Sequence, residues 1–242
     1  MADIPDDLIR LHNYEELLRS QALALIEGDD ALGRHLEVVH DVMNHLMILA
    51  KLPSSSGTDL ETLQLLGIRV LNFISAGLKA GLSGYFQVAF SVLRETLETA
   101  NLIDLFLIRP ELVAVWKAGD EKNGRELFSP VKVRMNLSGH ANYKGQDRQP
   151  RYRLLSNYAS HPSYAGFKLL QNGTCYEVGP FMALRPLKAL LEDMGPLGGH
   201  AALNLSIAID SDDPKALTAT SDYMQRLRSY WDWTKTQNNG FT

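Results

Sequence analysis

Apolar residues recur at helical spacing along most of this chain, most densely over Ser83–Ile108. There they run nearly all the way round, the pattern of a buried helix. The polar positions are confined to one narrow stripe. Gln87, Ser91, Arg94, Glu98 and Asn101 follow one another at steps of 4, 3, 4 and 3, so they share a face, and Glu95 lies on its edge. The spacing predicts a central helix with one polar seam, either the wall of a site or a structural network.

Other periodic runs surround it. Asp6 or Asp7 caps a first helix that Gly28 stops after Glu27, with Leu8, Leu11, Leu18, Ala22 and Leu25 as its inner stripe. Asp29-Asp30 opens a second helix over 31–51, with Leu32, Leu36, Val39, Met43 and Leu46 facing a bundle. Thr58-Asp59-Leu60-Glu61 has the residues of a capping box. It starts a third helix, to Leu82, whose Ala76, Gly77, Ala80 and Gly81 predict a tight crossing. Beyond the central helix the pattern predicts short helices over 111–117 and 131–137, a charged loop over 119–124 and a polar loop over 138–150. A helix over 151–160 follows, ending before Pro162.

Asn172-Gly173, between runs at 167–171 and 174–178, predicts a hairpin with a type I′ turn. Helical patterns resume to Ala208, interrupted at Pro186 and at Gly195-Pro196, with a turn at Gly198-Gly199-His200. A last helix from Pro214 to about Lys235 carries Leu217, Met224, Leu227 and Trp231 inward, and 236–242 frays. The expected fold is an all-α multi-helix bundle around a central buried helix, with one small inserted β-hairpin, in a single domain over 1–242.

Composition narrows the class. With 45% apolar and 21% charged residues in 242, the chain has enough apolar residue for a sizeable core. A net charge of −4 argues against a globally basic nucleic-acid coat protein but leaves room for a local basic patch. The single cysteine, Cys175, excludes an intrachain disulfide and is expected to pack as a small hydrophobe. The start of the chain has neither a basic segment nor an apolar run of leader type. Arg94, Glu95 and Glu98 interrupt the central helix, the stretch that comes closest to a membrane span. A cytoplasmic protein without membrane partners is expected.

Candidate chemistry gathers at Arg151–Tyr164. On a helix Arg153, Asn157 and His161 fall on one side, and His161 sits at the C-terminal end, where the dipole favours a protonated ring. Arginine to hold phosphate and histidine to move a proton suit metal-independent RNA cleavage. From Val131 to Arg153, Lys132, Arg134, Lys144, Arg148, Arg151 and Arg153 face Asp147 alone, a patch suited to RNA or another phosphate ligand. The plainer alternative is a histidine that caps a helix beside a solvated loop.

Leu93-Arg94-Glu95-Thr96-Leu97-Glu98 together with Leu155-Ser156-Asn157-Tyr158-Ala159-Ser160-His161-Pro162 resembles uncharacterised bacterial helical proteins near the HEPN superfamily. The resemblance spans about residues 84–164. It implies a helical, dimeric ribonuclease whose arginine and histidine are four to six residues apart, or a relative that binds ligand without cleaving it. In this chain seven residues separate Arg153 from His161.

Two further constellations stand out. Arg94 and Glu98 can pair along the seam, and if the seam faces Ser156, Asn157 and Tyr158 the two stretches form one polar network with Glu95. On the second helix Glu37, Asp41 and His45 stack, with His40 and Asn44 beside them. Bundle metal sites need matching ligands from other helices, however, and only His12, Glu95 and Glu98 offer themselves, so the stripe reads as a solvated face and no metal or other cofactor is expected. No nucleophile elbow or phosphate-binding glycine loop is present. The expected function is binding of RNA, a nucleotide or another phosphate-bearing ligand. In a ribonuclease version Arg153 and His161 act on the phosphodiester, and Arg94, Glu95, Glu98, Ser156, Asn157 and Tyr158 line the ligand site. The alternative is a non-enzymatic helical interaction module that forms a homodimer.

Overall fold

Local chemistry sets several helix ends, although α1 (Asp6–Glu27) starts after Pro5 without the side-chain cap expected from Asp6 or Asp7. The Asp29 carboxylate accepts from the backbone N–H groups of Ala31 and Leu32, at 2.9 and 3.1 Å, and so caps α2 (Asp30–Ala50) behind α1. Thr58 Oγ1 accepts from Glu61 N and caps α3 (Asp59–Leu82), while the Glu61 carboxylate reaches back to Gly57 N, one residue beyond the usual box. Gly84, at φ +87°, turns the chain into α4 (Phe86–Ile108), so the central helix starts three residues later than its pattern predicts. A Cβ at Gly84 would lie 2.6 Å from the carbonyl oxygen of Phe181, so two backbones meet there at a distance only glycine allows.

The computed structural model describes residues 4–55, 57–143, 149–160 and 162–239. The chain folds as an all-α bundle with one two-stranded hairpin. The short helices after α4 are α5 (Leu112–Lys117), α6 (Glu121–Leu127), α7 (Pro130–Gly139) and α8 (Gln149–Leu155), with a 3-10 turn at Ala141–Tyr143. The stretch expected as a charged loop, 119–124, thus contains the start of α6. A π-helical turn, Ser156–Ser160, continues α8. The hairpin pairs β1 (Gln171–Asn172) with β2 (Cys175–Tyr176) in antiparallel register, Gln171 opposite Tyr176. Its turn has one positive φ, at Gly173, and the run before it is a 3-10 helix, Tyr164–Leu170, so the strands are shorter than expected. Cys175 on β2 is exposed, not packed.

α9 (Leu184–Ile209) and α10 (Pro214–Asn239) complete the bundle. α9 runs unbroken through Pro186 and Pro196, and the predicted turn at His200 is helical. An internal proline costs a helix about 3 kcal/mol. α9 offsets that by packing against α2, α3, α4 and α10, which fully buries Met194, Ala201 and Ala202. The small-residue crossing forms as expected: a Cβ at Gly81 would meet Leu190 Cδ2 of α9 at 2.1 Å. By length and composition α3, not α4, could span a bilayer, but here Leu66, Val70 and Ile74 are buried and the helix packs on α2, α4 and α9.

Two stripes differ from their patterns. On α1, Leu18 and Ala22 are buried, while Leu8, Leu11 and Leu25 are 43, 37 and 37% exposed. On α10 the buried residues are Ala216, Tyr223, Leu227 and Tyr230, and Leu217 and Met224 face outward, because aromatic rings with polar tips take the places in contact with α2.

Candidate functional site

The polar seam of α4 faces the π-helical turn. Ser91 Oγ donates to the carbonyl of Ala159 at 2.8 Å and ties the turn to the helix. One turn on, the Arg94 guanidinium divides its donors. Nε binds Ser156 Oγ at 3.1 Å, Nη2 binds the Tyr152 hydroxyl at 3.0 Å, and Nη1 binds Glu95 Oε1 at 3.2 Å. Nη2 also lies 2.6 Å from Glu98 Oε1 as an ion pair, without hydrogen-bond alignment. Burial raises the Glu98 carboxyl above its ordinary value, and the Arg94 charge opposes that shift. The seam is therefore a partly buried network of Arg, Glu, Ser and Tyr.

Two more arginines frame it. Arg69 of α3 donates from Nε to Thr99 Oγ1 at 3.2 Å and from Nη2 to Glu95 Oε2 at 3.3 Å. Arg134 of α7 is buried, lies 3.6 Å from the centre of the Tyr152 ring, and donates to Gln149. Beside this network opens a cleft of about 420 Å³. Arg69 and Glu98 line it from α3 and α4, Trp116 and Val133 from α5 and α7, and Phe128 from the link between α6 and α7. Trp116 and Phe128 both pack edge-on against buried Phe106, at 5.8 and 6.2 Å between ring centres, which holds the two rings in place.

The predicted residues divide. Arg94, Glu95, Glu98 and Ser156 come together. Asn157 is exposed, and its carbonyl accepts from Ser163 Oγ; Tyr158 is half-buried, and neither side chain joins the network among the described contacts. Arg153 is exposed on α8, and His161 lies outside the described residues, so their pairing is not part of the geometry. The basic stretch is partly spent on structure. Arg134 is buried, and Arg151 pairs with Asp193 at 2.5 Å, which leaves Lys132 and Arg153 exposed; Lys144 and Arg148 lie outside the described residues.

The α2 stripe is solvated only in part: Glu37, His40 and Asn44 are exposed, while Asp41 and His45 face α9 and α10. Asp41 pairs with Arg226 of α10 at 3.0 Å, and His45, 2% exposed, stacks on Tyr223 at 4.2 Å while its Nε2 meets Ser206 Oγ at 2.7 Å. Among the described residues no three His, Cys, Asp or Glu side chains form a metal-binding group.

Arg69, Tyr152, Trp116 and Phe128 were not singled out in the sequence. Arg69 does leave a trace there, as the only charge between Glu61 and Lys79 on an apolar helix. A second polar cluster was missed outright. Fully buried Asp104 of α4 meets His200 Nε2 at 2.9 Å and accepts from Asn204 of α9. Its only trace is a lone acid in the apolar run that ends α4. No protein-family model, curated protein or solved structure matches the chain.

Proposed function

We propose that this protein binds a nucleotide or a nucleotide of an RNA strand in the cleft between α3, α4 and the short helices. The observation that carries the reading is the lining of that cleft. Two anchored aromatic rings, Trp116 and Phe128, share about 420 Å³ with one guanidinium, Arg69, and one carboxylate, Glu98. A volume of that order suits a small ligand, aromatic rings stack on bases, and an exposed arginine binds phosphate. Arg69 is 51% exposed at its side chain, and Lys132 stands exposed on α7. The Arg94 network gives the Glu98 wall a fixed shape, the preorganisation that binding sites need. A ribonuclease version adds Arg153 and His161 as the groups acting on the phosphodiester.

Thermal melts of the purified protein with single-stranded RNA, tRNA and mononucleotides test the reading. Saturating ligand is expected to raise Tm by about 5 °C or more, and Arg69→Gln to reduce that gain. No shift with any nucleotide sinks the proposal. Cleavage of the same RNA, lost in His161→Ala, would add the catalytic step; intact RNA would leave binding alone.

A second reading, a dimerising interaction module, is favoured by α1. All residues from Ile4 to Tyr14 are exposed, including Leu8 and Leu11, although they extend the buried stripe of Leu18 and Ala22.

A further inference from the structure

Asp104 and His200 form a pair that neither the cleft nor the seam of α4 uses. Asp104 is fully buried, and a buried carboxylate needs hydrogen-bond donors. α9 supplies them. His200 Nε2 lies 2.9 Å from Oδ2 and 3.1 Å from Oδ1, and Asn204, one turn on, donates to Oδ1. A carboxylate only accepts, so Nε2 carries the ring hydrogen and Nδ1 keeps its lone pair. The His200 side chain is 38% exposed, and its Nδ1 reaches solvent, with no hydrogen-bond partner among the described residues. Both partners sit inside long helices that pack on each other, so the orientation of the ring is set by the bundle.

This arrangement makes Nδ1 a nucleophile. When its lone pair attacks, positive charge builds on the ring, and the carboxylate at Nε2 stabilises that charge. The surroundings indicate what it attacks. His200 lines neither of the clefts beside the short helices. Its neighbours on the same face of α9 are Pro196, Leu203 and Ile207, all half-buried or exposed. An open helix face rimmed by apolar side chains has no groups to hold a small substrate through a reaction. It suits a carrier, a histidine that takes a group from a docked protein and keeps it. Imidazole loses an acyl group to water quickly but holds a phosphoryl group at neutral pH.

We propose that His200 is a phosphoryl acceptor, with Nδ1 as the nucleophile and Asp104 as its positioning residue. The Nδ1 lone pair forms the N–P bond. The bond from phosphorus to the donor atom breaks, its electrons leave with the donor, and Nε2 keeps its hydrogen against Asp104. The site is separate from the nucleotide cleft and stands whether or not that cleft binds.

Phosphoramidate, which gives its phosphoryl group to imidazole and releases ammonia, is the probe. The full chain is incubated with it, and phosphate on each histidine is followed by mass spectrometry of peptides kept at alkaline pH, where the N–P bond lasts. His12 and His40 are the internal comparison. His12 is 65% exposed at its side chain and faces Glu15, which keeps contact with water; His40 is exposed and meets Asn44. His200 is expected to react about tenfold or more faster than either, although less exposed than His12, because a carboxylate that orients a histidine is worth that much. Asp104→Asn leaves one acceptor oxygen for two donors. It is expected to slow His200 about tenfold or more while His12 and His40 keep their rates, whereas a lost fold would change all three. Where Asp104→Asn does not fold, the comparison among the wild-type histidines decides by itself. A His200 rate that does not exceed those of His12 and His40 overturns the proposal. So does a His200 rate unchanged in Asp104→Asn, and so does absence of phosphate at His200.

Discussion

At the scale of single residues, Arg94 explains most of the candidate site. One guanidinium meets Ser156, Tyr152, Glu95 and Glu98, so a single side chain holds α4, α8 and the π-helical turn in register. Much of its value is the counter-charge it gives to Glu98, a carboxyl that burial already pushes towards the neutral form. Arg94→Met keeps the apolar stem but strands that carboxyl. Its expected cost in urea denaturation is about 2 kcal/mol, below the full penalty for a deeply buried pair because both side chains keep some contact with water. Arg94→Met combined with Glu98→Gln is expected to be more stable than Arg94→Met alone. A double variant as unstable as the sum of its parts would show that the pair is not coupled.

At the scale of elements, α10 is held on α2 by histidines. His35 Nδ1 lies 2.7 Å from the Tyr230 hydroxyl, and His45 stacks on Tyr223 with its Nδ1 buried and without a hydrogen-bond partner among the described residues. Burial, with Arg226 nearby, lowers the His45 imidazole to about 4 from 6.5, and burial lowers His35 in the same direction. A histidine depressed in the folded state stabilises fully above its unfolded value and less as pH falls. The His45 contribution is therefore complete above pH 6.5 and is lost progressively towards pH 4. A shift of that size corresponds to about 3 kcal/mol when fully developed. Urea melts at pH 7 and pH 4.5 are expected to show that loss in the wild type and a smaller one in His45→Phe, which keeps the stack on Tyr223. An equal loss in both would remove His45 from the account.

At the scale of the whole molecule, one buried apolar cluster runs from Ala22 to Tyr230, and the first half of α1 stands outside it. An isolated helical segment of two to three turns is marginal in water, so Ile4–Tyr14 gains from anything that covers Leu8 and Leu11. In the dimer reading a second copy provides that cover. Light scattering after size exclusion is then expected to give a dimer for the wild type and a monomer for Leu8→Glu combined with Leu11→Glu. A monomeric wild type would remove the dimer.

The sequence by itself determined what depends on near neighbours in the chain. Asp29 and Thr58 cap helices through bonds two and three residues long, and the seam of α4 is legible because a helix repeats every 3.6 residues. The crossing at Gly81 was legible for a related reason, since a run of small residues has a meaning whatever the partner. Only the tertiary structure decided which surface each face meets. Tyr152 joins Arg94 across 58 residues, and His200 joins Asp104 across 96, distances over which periodicity carries no information. Pro196 stays within α9 because four neighbouring helices stabilise what local propensity opposes. The α10 stripe turned by one position because Tyr223 and Tyr230 found partners on α2 and α9 that no pattern along α10 could announce. The candidate cleft belongs to the same class. Arg69, Glu98, Trp116 and Phe128 lie on separate elements, and packing alone makes them one site.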